Sequence, residues 1–119
     1  MDRVKLIVYD NKEILLIDFS SLKGREISLV AEEAKKIISV KAKLSVLALT
    51  DVANVPYNKG VISVLRDLTT FNKPYIKASA VVGVAPWAAS VVKMIESLTG
   101  RKFYIFSDRE SAKAWLVKQ

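Results

Sequence analysis

The residues best placed to do chemistry in this chain are Thr50 and Asp51, which close the nearly all-apolar run 44–49, Leu-Ser-Val-Leu-Ala-Leu. Such a run reads as a central strand buried on both faces, as in parallel sheets. Ligand and regulatory sites collect just beyond the carboxyl ends of such strands. A hydroxyl and a carboxylate at that point can recognise a polar ligand or a partner; the alternative is that Asp51 only orders its loop by accepting backbone N–H bonds. Asn54, Tyr57 and Asn58 follow in the same loop and can join the site, with Asn58 also suited to cap the next helix. At the exit of the next strand, Gly83 permits a sharp turn. Trp87, beside Pro86, can offer an aromatic face to a ligand or partner; the alternative is that it packs on the sheet, as tryptophans mostly do.

The residue inventory excludes more than it suggests. The chain has no histidine and no cysteine. That removes the commonest general base, the commonest metal ligand, disulfides and thiolate sites. There is no G-x-S-x-G elbow and no histidine to activate a serine. No glycine-rich phosphate loop with a lysine is present. Asp18, between Ile17 and Phe19, is a single carboxylate that alternation points at solvent or that pairs with a basic residue. Lys73 and Lys77 flank Pro74 and read as a solvated loop and strand start. No catalytic residue, metal site or cofactor is expected, and the chain is not expected to be an enzyme.

Positioning these residues requires the following elements. Residues 4–9 read as a β-strand, with turn chemistry at Asp10 and Asn11, and 14–19 as its hairpin partner. From Arg25, apolar residues recur at three- and four-residue steps (Ile27, Val30, Ala31, Ala34, Ile37, Ile38), an amphipathic helix ending near Val40. The strand 44–49 follows. Val61, Ile62, Leu65 and Leu68 stripe a second helix that stops before Pro74. Residues 75–84 form another strand. Pro86 suits the first turn of a third helix, striped by Trp87, Val91, Val92, Ile95 and Leu98 and closed by Gly100. Residues 103–106 form the last strand. Ser107 to Glu110 reads as a capping box with the serine at the cap. Ala112, Trp115 and Leu116 then share one face of the final helix. The predicted order is β-β-α-β-α-β-α-β-α: one α/β domain over 1–119, with a mixed, mostly parallel sheet and an N-terminal hairpin.

With 119 residues, half of them hydrophobic, the chain can bury a core without staples. Its net charge of +7 comes from 19 basic and 12 acidic residues. These basic residues are scattered, and no aromatic-basic RNA-binding pattern accompanies them, so the charge reads as a solubility feature and no specific nucleic-acid binding is expected. The first residues lack the features of a signal peptide, and no apolar run is long enough to cross a membrane, so a cytoplasmic location is expected. Exposed apolar surface on the second helix would support a homodimer.

Residues 106–116, Phe-Ser-Asp-Arg-Glu-Ser-Ala-Lys-Ala-Trp-Leu, resemble the closing signature of the STAS-like family of sporulation stage II protein AA-like domains, an acidic cap followed by Ala, two residues, Trp and Leu. Residues 47–51, Leu-Ala-Leu-Thr-Asp, resemble that family's central strand running into an Asp. The resemblance extends over essentially the whole chain. It implies a STAS-like fold and a small non-enzymatic regulatory or protein-binding module, as in anti-sigma factor antagonists. In those proteins an Asp-Ser pair follows the central strand and the serine is phosphorylated by a partner kinase. Here Val52 and Ala53 follow Asp51, and neither carries a hydroxyl, which points from a phosphorylation switch toward constitutive binding of a protein partner. The alternative is a carrier or sensor of a small apolar or anionic ligand, held between helices and the carboxyl ends of the strands. That reading requires a pocket lined by the second and third helices. The related lipid-transfer CRAL-TRIO domains have further helices enclosing the lipid, which 119 residues do not supply.

Overall fold

A computed structural model describes residues 2–119. Among these the elements run β1 (Val4–Tyr9), β2 (Lys12–Asp18), α1 (Arg25–Ile38), β3 (Val46–Asp51), α2 (Lys59–Asn72), β4 (Ile76–Val82), a short 3-10 turn (Pro86–Ala88), α3 (Ala89–Thr99), β5 (Tyr104–Phe106) and α4 (Arg109–Leu116). The five strands form one mixed sheet in the order β1-β2-β3-β4-β5. β1 and β2 are antiparallel, joined through Asp10 and Asn11, both at positive φ, which suits a two-residue hairpin turn. Every other neighbouring pair is parallel.

Each crossover steps one strand further in the same direction. Right-handed connections therefore stack α1, α2 and α3 on one face of the sheet. Ile27, Val30 and Ala34 of α1, Leu65 and Leu68 of α2, and Ile95 of α3 bury against Leu15, Ile17, Ala48 and Val81 there. The second face carries α4 alone: Ala112 and Leu116 pack on Ile14, Leu16, Leu49 and Ala80. Val46–Leu49 are all buried because both faces are covered.

Several details depart from the sequence pattern. β3 begins at Val46, two residues later than the apolar run, because Leu44 takes a left-handed conformation (φ 56°) and is 66% exposed. At its other end β3 includes Thr50 and Asp51, which pair with Val81 and Val82 of β4. The last helix is capped by Asp108, whose carboxylate accepts the Ser111 N–H at 2.7 Å, in place of Ser107. Glu110 pairs forward with Lys113 at 3.2 Å and does not reach back. Trp115 is half-buried, packed against Tyr104 and Phe106 at 4.5 and 5.5 Å between ring centroids, because β5 is only three residues long and leaves the sheet edge open. On α3, Ile95 alone is buried. Met94 and Leu98 are exposed, so the exposed apolar surface expected on α2 lies mainly on α3, while α2 sits between α1 and α3. Among the described residues no helix is long and apolar enough to cross a membrane.

Candidate functional site

The pleat of β3 sends Thr50 and Asp51 to opposite faces of the sheet. Asp51 turns toward α4. It is 8% exposed and its carboxylate is fully engaged: Oδ1 accepts the Ala53 N–H at 3.0 Å, and Oδ2 takes Arg109 Nε and NH2 at 2.9 and 2.7 Å. Asp18 is the register partner of Asp51 on β2. Two carboxylates side by side on parallel strands repel unless a cation lies between them. Arg109 supplies it, with NH2 3.3 Å from Asp18 Oδ2, and Arg3 adds a second cation at 3.4 Å. Burial pushes the Asp18 carboxyl up, but the Ser20 hydrogen bonds and the Arg109 charge outweigh it and hold the group below the usual carboxylate value. Desolvation works against the Arg109 charge, and the Asp51 and Asp18 carboxylates more than restore it. This cluster is internally satisfied. It ties the carboxyl ends of β2 and β3 to the start of α4.

Gly83 serves the same end of the sheet. At φ +81°, a Cβ on this residue would stand 2.5 Å from the Ala53 backbone nitrogen. Only glycine lets the β4 exit pass so close to the loop that Asp51 orders. Asn54 is exposed at positive φ in that loop. Asn58 caps α2, its side chain accepting the Val61 N–H at 2.9 Å.

Thr50 turns the other way, into a pocket between α2, α3 and the sheet. The cavity measures about 70 Å³, and its walls are Leu65, Leu68, Val81, Val91 and Ile95. Tyr57 lines it near the carboxyl edge, where burial pushes the phenol's pKa up. The Tyr57 ring meets Trp87 edge-to-face, with 5.4 Å between centroids. Trp87 itself is 67% exposed, because the 3-10 turn carries it off the sheet before α3 begins. Of the sequence candidates, Thr50 and Tyr57 therefore share the pocket, Trp87 flanks it, Asp51 and Asn54 belong to the loop beside it, Asn58 caps the helix that follows, and Gly83 lets the β4 exit pass close to that loop.

The α2 crossover runs antiparallel to the strands, so the far end of the pocket lies toward the amino ends of β4 and β5. That end is polar. Asn72, Ser79 and Arg101 line it there, and none of them is among the sequence candidates. Arg101 donates NH1 to the Thr69 carbonyl at 2.9 Å and NH2 to Ser79 Oγ at 2.6 Å. Among the described residues no carboxylate pairs with it, and desolvation lowers its pKa. Asn72 is 6% exposed, and its Oδ1 has no hydrogen-bond donor among the described residues. Buried polar atoms are nearly always bonded. A signal for Asn72 was present: Val61, Leu65, Leu68 and Asn72 continue one helical stripe, and a polar residue in the last apolar position is out of pattern.

Among the described residues no group of three His, Cys, Asp or Glu side chains is placed to hold a metal ion. No protein-family model, curated protein or solved structure matches this chain. The class that the fold defines is an α/β domain with a five-stranded mixed sheet and four α-helices.

Proposed function

We propose that this protein is a non-enzymatic binding module, a carrier or sensor of a small, partly apolar ligand held between α2, α3 and the sheet. One observation carries the reading: an apolar pocket ends at the Arg101 guanidinium, which no carboxylate pairs with among the described residues. Apolar walls with a few converging polar groups are the usual make-up of a small-molecule site. Fragment screening by NMR tests it. Hits should shift the amides of Leu65, Leu68, Val91 and Ile95 and vanish when Val91→Trp fills the space. A screen without such hits would sink the reading.

The second reading is a STAS-like regulatory module with a protein partner, suggested by the resemblance of residues 47–51 and 106–116. It is favoured by Trp87, a large aromatic braced by Tyr57 and left open to solvent. Exposed aromatics of this kind are enriched where proteins meet. Asp51 is already paired to Arg109, so a partner would contact Trp87, Asn54 and Tyr57 before it reached that carboxylate. A partner recovered by pull-down should be lost with Trp87→Ala. Binding that survives the change would place the interface elsewhere. Sedimentation of the free chain checks the homodimer.

A further inference from the structure

We infer that single-stranded nucleic acid, bound without regard to sequence, lies along a basic groove across the amino ends of the strands. Two clefts meet there. One, of about 240 Å³, passes Lys12 of β2 and Lys41 ahead of β3. The other, of about 340 Å³, passes Lys73, Arg101 and Lys102 beside β4 and β5. Lys77 and Gln119 line both, so the clefts run on from β2 to β5. Three strand spacings give the groove a length of about 14 Å. Cations scattered along the chain are thus drawn into one line by the fold. Among the described residues Glu13 is the only carboxylate side chain lining either cleft, and Lys41 pairs with it at 3.0 Å. Lys12, Lys73, Lys77 and Arg101 pair with no carboxylate among those residues, and Lys102 stands 3.9 Å from Glu96.

Some of these charges also serve helix ends. Lys12 donates to the Val117 carbonyl at 2.6 Å and Lys73 to the Thr99 carbonyl at 3.3 Å, as suits cations near helix C-termini. Each ammonium keeps further N–H donors for a ligand. Lys77 has another origin. The register slips where Val46 and Leu47 pair with Ile76 and Ala78, so Lys77 is the extra residue on β4. Such a bulge gives up ladder pairing to re-aim a side chain. Here it sets an exposed lysine where the two clefts join. A row of cations matches the repeated charges of a phosphate backbone. Tyr104 then selects among polyanions. It lines the groove, is 44% exposed, and is braced by Trp115. An unpaired base stacks on such a ring. An acidic peptide has no base to stack, and a duplex keeps its bases paired away from it.

The test is fluorescence anisotropy of the intact chain with a labelled oligothymidylate of about 12 nucleotides, at salt from about 50 to 200 mM. Binding should weaken as salt rises. Lys77→Gln combined with Lys102→Gln removes two exposed charges and leaves the helix-end bonds of Lys12 and Lys73 intact. Affinity should fall about tenfold at low salt, and the logarithmic salt slope should become shallower by about 1.4. Lys23→Gln combined with Lys59→Gln removes the same charge at the opposite end of the sheet and should cost under about twofold. A duplex of equal length and a polyglutamate peptide should each bind about tenfold more weakly than the single strand. Equal weakening by the two double variants would reduce the groove to net charge and overturn the inference. A duplex or polyglutamate that binds as tightly as the single strand would give the groove a different occupant, and no binding at low salt would leave it none; either result overturns the inference too.

Discussion

Asp51 and Arg109 lie 58 positions apart in the chain and meet at 2.7 Å, where the guanidinium also reaches the Asp18 carboxylate on the neighbouring strand. One arginine at the start of α4 thereby resolves the repulsion between two carboxylates held in register by parallel pairing. The contact docks α4 onto a face of the sheet that no other helix among the described residues covers.

Arg109→Ala should therefore destabilise the fold by about 2 kcal/mol, a figure discounted because the guanidinium is partly open to water. Urea denaturation gives the value. Combining it with Asp51→Ala should cost less than the sum of the two single changes, since the second removes the carboxylate that the first leaves stranded. Simple additivity would mean the pair contributes nothing.

Acid should weaken the fold through Asp18. Its folded pKa lies below the ordinary 3.8, despite the raising effect of burial, because Ser20 and Arg109 hold the charged form. A depressed carboxyl stabilises above its unfolded pKa, and that contribution is lost as pH falls through the folded value. Asp108, held low by the Ser111 N–H, acts in the same sense. Urea midpoints should thus change little with pH through these groups above about pH 5 and fall below about pH 4. Asp18→Asn should make that fall shallower, and an unchanged slope would remove Asp18 from the account.

Gly83→Ala should be among the most damaging small substitutions. The new methyl would clash with the Ala53 backbone, and alanine would be strained at φ +81°. A loss of about 3 kcal/mol or more is expected by thermal or chemical melting. By contrast, Gly24→Ala meets no atom within 4 Å, so its loss comes from backbone strain alone, at φ +60° and ψ −135°, a region that glycine adopts far more readily than alanine. A loss at Gly83 no larger than at Gly24 would show that the contact with Ala53 is unimportant.

Asn72→Leu should stabilise the protein by about 1 kcal/mol, since it removes a desolvated amide oxygen that has no partner among the described residues. A rise in melting temperature is the readout. A fall would mean that ordered water already satisfies the amide.

Trp87→Ala should cost under about 1 kcal/mol, because an exposed ring gives up little burial. Trp115→Ala, which strips the rings of Tyr104 and Phe106, should cost about 3 kcal/mol. Melts of the two variants separate a surface aromatic from a packing one, and equal losses would contradict this assignment.

Local patterns carried the elements. The helical stripes, the Asn58 cap, the hairpin turn and the Gly100 stop all depend on residues a few positions apart, so their signals sit in short windows of sequence. Alternating strands and helices likewise implied an α/β sheet. Three things needed the tertiary structure. The left-handed Leu44 set where β3 starts. The pleat then separated Thr50 from Asp51, which sequence proximity had joined. Finally, the α2 and α3 crossovers brought Asn72, Ser79 and Arg101 to one end of a pocket. Their shared environment is made by chain segments that no local window contains. Periodicity reveals which residues turn inward; only the packed sheet decides which of them meet.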